Sequence, residues 1–412
     1  MKELLRKGSI IILLGTGGVG KTTVAAALGI AAAKSGLNTA VITVDPARRL
    51  RDALGLDTLA GHPTRLSKEH LRAGGLDPGL RLSAMMLDVK GAWDAMAERF
   101  ARDPETRRRI LENPFYKSLT GEFAGSEAYA ALEQLYDLHQ GGEFDVQIVD
   151  TPPAAHAFDF LQAPARLIRL LDSRAARWLF TPSLSAGRLA MRVASQAARF
   201  VVRELERFAG ATVLSTISDF FAAASETLDA TVERLKKTEA LLHSPATHFV
   251  MVTTAEEDRL SGAREVMDEM RSEGLALSAL VLNRFLDPET WTEVMRHPES
   301  APRHLEGIRA LRAAMKADIA ADRGVASVVS FLEEYRARVL GDVARVYRYA
   351  REMPAEVKLA VSPEIEVEIR DLGALARIAE FLTRPLDAFT SHARGSKPEP
   401  RQGNRKPRRA GR

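Results

Sequence analysis

Apolar residues along the 412-residue chain fall into two alternating patterns. Short unbroken runs rich in β-branched residues occur at Ser9–Leu14, Thr39–Val44, Phe144–Val149, Thr247–Thr253, Ala276–Leu282 and Val357–Val361, with Leu80–Met85 a weaker example. Runs of this length without polar alternation mark strands covered on both faces. Between them lie longer stretches with helical spacing. The first, Thr22–Ser35, is Ala-rich and apolar nearly all round, which predicts a helix packed on a sheet and closed by Gly36. Strands alternating with helices predict an α/β fold, with a mostly parallel sheet and helices on both faces. Ligands in such sheets bind at the carboxyl ends of the strands.

Two segments carry no strand pattern. Lys90–Gln140 and Arg166–His243 are rich in Ala, Leu, Arg and Glu with helical periodicity. They predict a helical subdomain (about 90–140 and 166–243) inserted in a nucleotide-binding domain that spans 1–393. Trp178, Phe180, Phe200, Phe208, Phe220 and Phe221 recur on its amphipathic faces. Ordinary helix core is the favoured reading of these aromatics; an apolar surface for a partner or client is the sharper one. Met96 and Met191 are the only methionines in the two segments, which weakens an adaptable groove. Thr254-Ala-Glu-Glu257 matches a capping box and places a helix start there.

The chemistry concentrates after the first strand. Gly15, Thr16, Gly17, Gly18, Val19, Gly20, Lys21, Thr22 and Thr23 follow the run Ser9–Leu14 and open the first helix. The spacing Gly15-x4-Gly20-Lys21-Thr22 is that of a phosphate-binding P-loop. Glycines let backbone N–H groups converge on phosphate oxygens, and the helix turns its positive end toward the same anion. Lys21 would reach the β- and γ-phosphates, and the Thr22 hydroxyl would ligate Mg²⁺. Asp45 follows the second strand and Asp150 follows the third, so both carboxylates belong at the edge of the sheet that carries Lys21. An acid there can hold a Mg²⁺-bound water or orient an attacking water; the competing reading is a helix N-cap. Pro152 and Pro153 stiffen the segment after Asp150.

Composition narrows the classes. The chain is 46% hydrophobic and 27% charged, ordinary for a globular protein, and has no 18-residue apolar run. Its first residues lack a signal-peptide pattern, which predicts a cytoplasmic location. The absence of cysteine excludes disulfides, thiolate zinc sites, iron–sulfur clusters, a cysteine nucleophile and thiol arsenite sites. The net charge of +4 is uneven: residues 394–412 hold eight Lys and Arg against Glu399, a net of +7 that leaves −3 elsewhere. That segment is rich in Pro, Gly and Arg and predicts a disordered tail. A solubilising role is favoured over an arm for nucleic acid or anionic membrane.

Several motifs together carry a resemblance. G-T-G-G-V-G-K-T-T at 15–23, V-D-P-A at 44–47, V-D-T-P-P-A-A-H at 149–156, V-L-N-R at 281–284 and the stretch from Val357 through Pro363 occur in family order. The chain resembles the arsenical-pump ATPase (ArsA) family, which includes the guided-entry ATPases that deliver tail-anchored membrane proteins, within the deviant-Walker P-loop class. The resemblance implies an ATP- and Mg²⁺-dependent ATPase. Asp45 is then the switch I aspartate that activates water, and Asp150 the Walker B residue acting on Mg²⁺ through water. Asn283 and Pro363 become the adenine-contacting elements. It also implies a homodimer, or a heterodimer with a related ATPase, that closes on ATP and handles an apolar client protein. The alternative is a partition-type positioning ATPase that uses the basic tail on DNA or membrane. The family's first lysine, which reaches the partner's phosphates, is replaced here by Thr16, and the Arg48-Arg49 pair is a candidate substitute.

Overall fold

The computed structural model describes residues 1–44, 49–101, 103–114, 116–117, 126–152, 161–169, 228–285, 323–354, 356–365 and 371–384. Its strands are β1 (Ser9–Leu14), β2 (Thr39–Thr43), β3 (Thr64–Arg65), β4 (Leu82–Met86), β5 (Val146–Asp150), β6 (Thr247–Thr253), β7 (Leu277–Phe285) and β8 (Lys358–Pro363). The helices are α1 (Lys21–Lys34), α2 (Arg49–Ala53), α3 (Lys68–Ala73), α4 (Val89–Phe100), α5 (Pro104–Glu112), α6 (Ser126–Gly141), α7 (Leu228–Leu242), α8 (Glu257–Ser272), α9 (Arg323–Glu352) and α10 (Leu372–Thr383).

The strands form one sheet in the order β3-β4-β2-β5-β1-β6-β7-β8. β1 pairs in parallel with β5 on one side and β6 on the other, and every one of its side chains is buried. β2 with β4, β2 with β5, and β6 with β7 are also parallel. β3 runs antiparallel to β4, and it has two exposed residues, too short to leave a hydrophobic run in the sequence. The expected α/β fold with a mostly parallel sheet is thus present.

α1 explains its own composition. Its alanines are buried against the sheet on one side and α10 on the other. Gly29 marks the closest approach: a Cβ there would lie 2.4 Å from Cγ2 of Val41 in β2. The helix ends as expected at Gly36, whose φ is +85°. Gly36 N donates to Ala33 O (2.9 Å) and Leu37 N to Ala32 O (3.2 Å), the paired bonds of a Schellman cap.

The first predicted helical segment contains α4, α5 and α6. Trp93 of α4 meets Tyr129 of α6 with ring centroids 4.9 Å apart. In the second, residues 161–169 are helical and α7 follows. Arg234 of α7 joins it to α6: its Nε donates to Glu133 (2.8 Å), its Nη2 to Asp137, and its guanidinium lies 4.4 Å above Tyr136. Trp178, Phe180, Met191, Phe200, Phe208, Phe220 and Phe221 lie outside the described residues, as does the tail.

The chain divides into two compact units, Met1–Phe285 with Ala360–Arg384, and Leu286–Leu359 with Pro385–Arg412. The second contains α9, which buries Val339, Val343, Val346, Tyr349 and Ala350 at helical spacing. The sequence reading assigned no element there, although that stripe is legible in the residues. Among the described residues, no helix is long and apolar enough to cross a membrane.

Candidate nucleotide site

The loop between β1 and α1 sits at the carboxyl end of the central strand, between the ends of β5 and β6. Two of its glycines have no substitute. A Cβ on Gly15 (φ +154°) would lie 2.2 Å from the Val252 carbonyl oxygen, and one on Gly20 (φ +88°) 2.2 Å from Asn283 Nδ2. The loop is therefore clamped between the ends of β6 and β7. Gly17 and Gly18 face solvent at its crest.

Lys21 opens α1 and is only 8% exposed. Its Nζ donates to the carbonyls of Gly15 (2.9 Å) and Thr16 (3.3 Å), which folds the ammonium over the loop. Thr22 Oγ1 donates to Asp150 Oδ2 at 2.7 Å, and Thr43 Oγ1 donates to the same oxygen at 3.1 Å. Asp150 is 1% exposed. β-sheet register puts it there: Asp150 lies opposite Leu13 of β1 and Thr43 of β2. Thr151 Oγ1 then donates to Leu13 O (2.6 Å) and ties the two strand ends together. The sheet thus brings Lys21 and Thr22, at the start of α1, together with Asp150, at the end of β5.

Asn283 is buried and its Nδ2 donates to Val19 O at 2.8 Å, so this amide braces the phosphate loop itself. Pro363 ends β8, and the next residue, Glu364, donates its N–H to Phe285 O (2.9 Å) at the end of β7. Asn283 and Pro363 therefore share one edge of the sheet. Asp45, Arg48, Pro153 and His156 lie outside the described residues; Arg49 is the exposed first residue of α2.

One expectation fails. Thr254 does not cap a helix: α8 begins at Glu257 with Glu256 as N-cap and no side-chain cap bond. Thr254 Oγ1 instead donates to Glu256 (3.3 Å), and Thr253 Oγ1 to the carbonyl of Arg259 (3.0 Å). These hydroxyls are used for joining β6 to α8, and so neither is offered to the helix N–H groups.

Arg259 is a residue the sequence reading passed over. Its Nη1 lies 3.1 Å from Gly17 O and 3.5 Å from Thr16 Oγ1. The signal was present: a base in the first turn of a helix, directly after three acids.

A glycine loop joining a central parallel strand to a helix, with a buried lysine and a threonine–aspartate pair beneath it, defines a P-loop nucleotide-binding protein. The family model of the anion-transporting ATPases matches residues 8–300, most of the chain. The chain belongs to the anion-transporting ATPase (ArsA) family, a family of ATP-hydrolysing enzymes. It is similar to ATPase GET3 of Eremothecium gossypii, 26% identical over 291 residues that cover 68% of this chain and 72% of that protein. It is 31% identical over 157 residues to ATPase GET3 of Malassezia globosa, covering 38% of this chain and 43% of the other. Against ATPase ARSA1 of Chlamydomonas reinhardtii it is 25% identical over 309 residues, covering 69% of this chain and 36% of that one. The chain thus spans less than half the length of two of these three relatives.

Proposed function

We propose that the chain binds ATP with Mg²⁺ in the Gly15–Thr23 loop, hydrolyses it, and uses the nucleotide state to switch a dimer. The observation that carries this reading is the 2.7 Å bond from Thr22 to the buried Asp150, beside the buried Lys21 in a glycine cradle. A threonine hydroxyl and a carboxylate are hard oxygen donors, and the chain has no cysteine, so the group fits Mg²⁺. Bound there, the metal would draw together phosphate oxygens and offset their charge.

The protein's own groups do the rest. The ammonium of Lys21 trades two carbonyl partners for phosphate oxygens, whose negative charge makes the bonds stronger. Charge that builds on the phosphates as the bond breaks is met by groups already in place. Asn283 keeps Val19, and with it the loop, in its binding shape. Asp45 orients the attacking water, on the strength of the family resemblance. Asn283 and Pro363 together form the adenine edge on the same basis.

Downstream, the switch drives client-protein handling through the helical subdomain, in a homodimer or with a related ATPase, in the cytoplasm. The family resemblance supports that step. The missing cysteines argue against an arsenite site built from thiols. The test is steady-state hydrolysis with calorimetric ATP binding on Asp45→Asn: binding persists and turnover drops. Equal turnover would remove the role given to Asp45.

A further inference from the structure

Arg259 breaks a local rule. It stands in the first turn of α8, three residues past the N-cap Glu256. The positive end of a helix disfavours a cation there, whereas the flanking Glu257 and Asp258 suit that end. Residues that defy local preference collect at functional sites.

The side chain turns to the crest of the phosphate loop. Nη1 donates to Gly17 O (3.1 Å) and stands 3.5 Å from Thr16 Oγ1. Its acidic neighbours hold it loosely: Nε is 3.8 Å from both Glu256 and Asp258, and the side chain is 38% exposed. Its backbone, by contrast, is fixed, because Thr253 at the end of β6 donates to the Arg259 carbonyl. One turn on, Gly262 lets α8 close on the loop; a Cβ there would come within 3.1 Å of Thr16 Cγ2. A fixed root and a guanidinium held by one carbonyl, a hydroxyl at 3.5 Å and two carboxylates at 3.8 Å describe a cation open to a closer anion.

We propose that Arg259 is a phosphate-contacting residue: from α8 it places on the terminal phosphate of the bound triphosphate the positive charge that Thr16 does not supply. The proposal rests on the reading that ATP occupies the loop. A guanidinium whose short bond is to a neutral carbonyl, with carboxylates no nearer than 3.8 Å, gains by exchanging that carbonyl for two phosphate oxygens in its planar fork. Thr16 and Arg259 are also complementary. A lysine at 16 would set a second cation against the guanidinium, so the small hydroxyl beside Arg259 and the charge on α8 belong together.

The experiment measures ATP and ADP affinity by calorimetry, together with kcat, on the full chain. The variants are Arg259→Ala, Arg259→Lys, Thr16→Lys and the double variant Thr16→Lys/Arg259→Ala, each checked by a circular-dichroism melt. Arg259→Ala should weaken ATP by about tenfold or more while ADP stays within about twofold. Arg259→Lys should keep part of that preference. Thr16→Lys alone should weaken ATP binding through repulsion, and the double variant should regain the preference for ATP over ADP. If Arg259→Ala folds and keeps the wild-type ATP-to-ADP ratio and kcat, the proposal is wrong. Equal losses for ATP and ADP would also overturn it, leaving Arg259 as a brace between α8 and the loop. Wild-type protein that binds neither nucleotide would overturn the underlying reading as well, a result distinct from both.

Discussion

At the scale of single residues, the site is a small set of charges and hydroxyls held by strand ends. Lys21→Ala removes the buried ammonium over the loop, and its kcat should fall about 10²–10³-fold, the usual cost of deleting one preorganised donor. Asn283→Ala is a different case. It deprives the Val19 carbonyl of its donor and frees the loop, so ATP affinity should drop about tenfold while the protein still turns over at saturating ATP. Unchanged affinity in a titration of that variant would show that the amide does not shape the loop. Lys21, Thr22 and Asp150 were legible in the sequence because each stands next to a hydrophobic run that fixes its place at a sheet edge. The contacts Asn283–Val19 and Arg259–Thr16 were not. They join positions 264 and 243 residues apart, and no local pattern encodes such a pairing.

At the scale of elements, the strands were legible because both of their faces are buried, as the unbroken apolar runs imply. β3 was not, being two exposed residues borrowed by an edge. The capping box misled because a threonine hydroxyl has several uses, and Thr254 spends its own on Glu256. The stripe on α9 was readable by its spacing, but it lay outside the strand-to-helix alternation that guided the division. Packing between α1 and the sheet yields a sharp expectation. Gly29→Val forces methyl groups into space already held by Val41, and thermal or denaturant melts should show a loss of about 1–3 kcal/mol. The α6–α7 contact yields another. Arg234→Ala removes the guanidinium that pairs with the buried Glu133, and should cost about 3 kcal/mol by the same melts. A loss under about 0.5 kcal/mol would mark the pair as surface decoration.

At the scale of the whole molecule, a central parallel sheet presents one edge at which the loop, Asp150 and the ends of β7 and β8 meet. A dimeric switch at that edge predicts that a non-hydrolysable ATP analogue with Mg²⁺ shifts this chain toward a dimer by light scattering; a mass that stays monomeric would favour a related partner chain. Every part of the account depends on a triphosphate seated in the glycine cradle. The direct test is a calorimetric titration of ATP with Mg²⁺ into the wild-type chain and Lys21→Ala. Saturable binding near one nucleotide per chain, strongly weakened in the variant, is the expected result. Absence of binding to the wild type, or equal binding to both, would contradict the account.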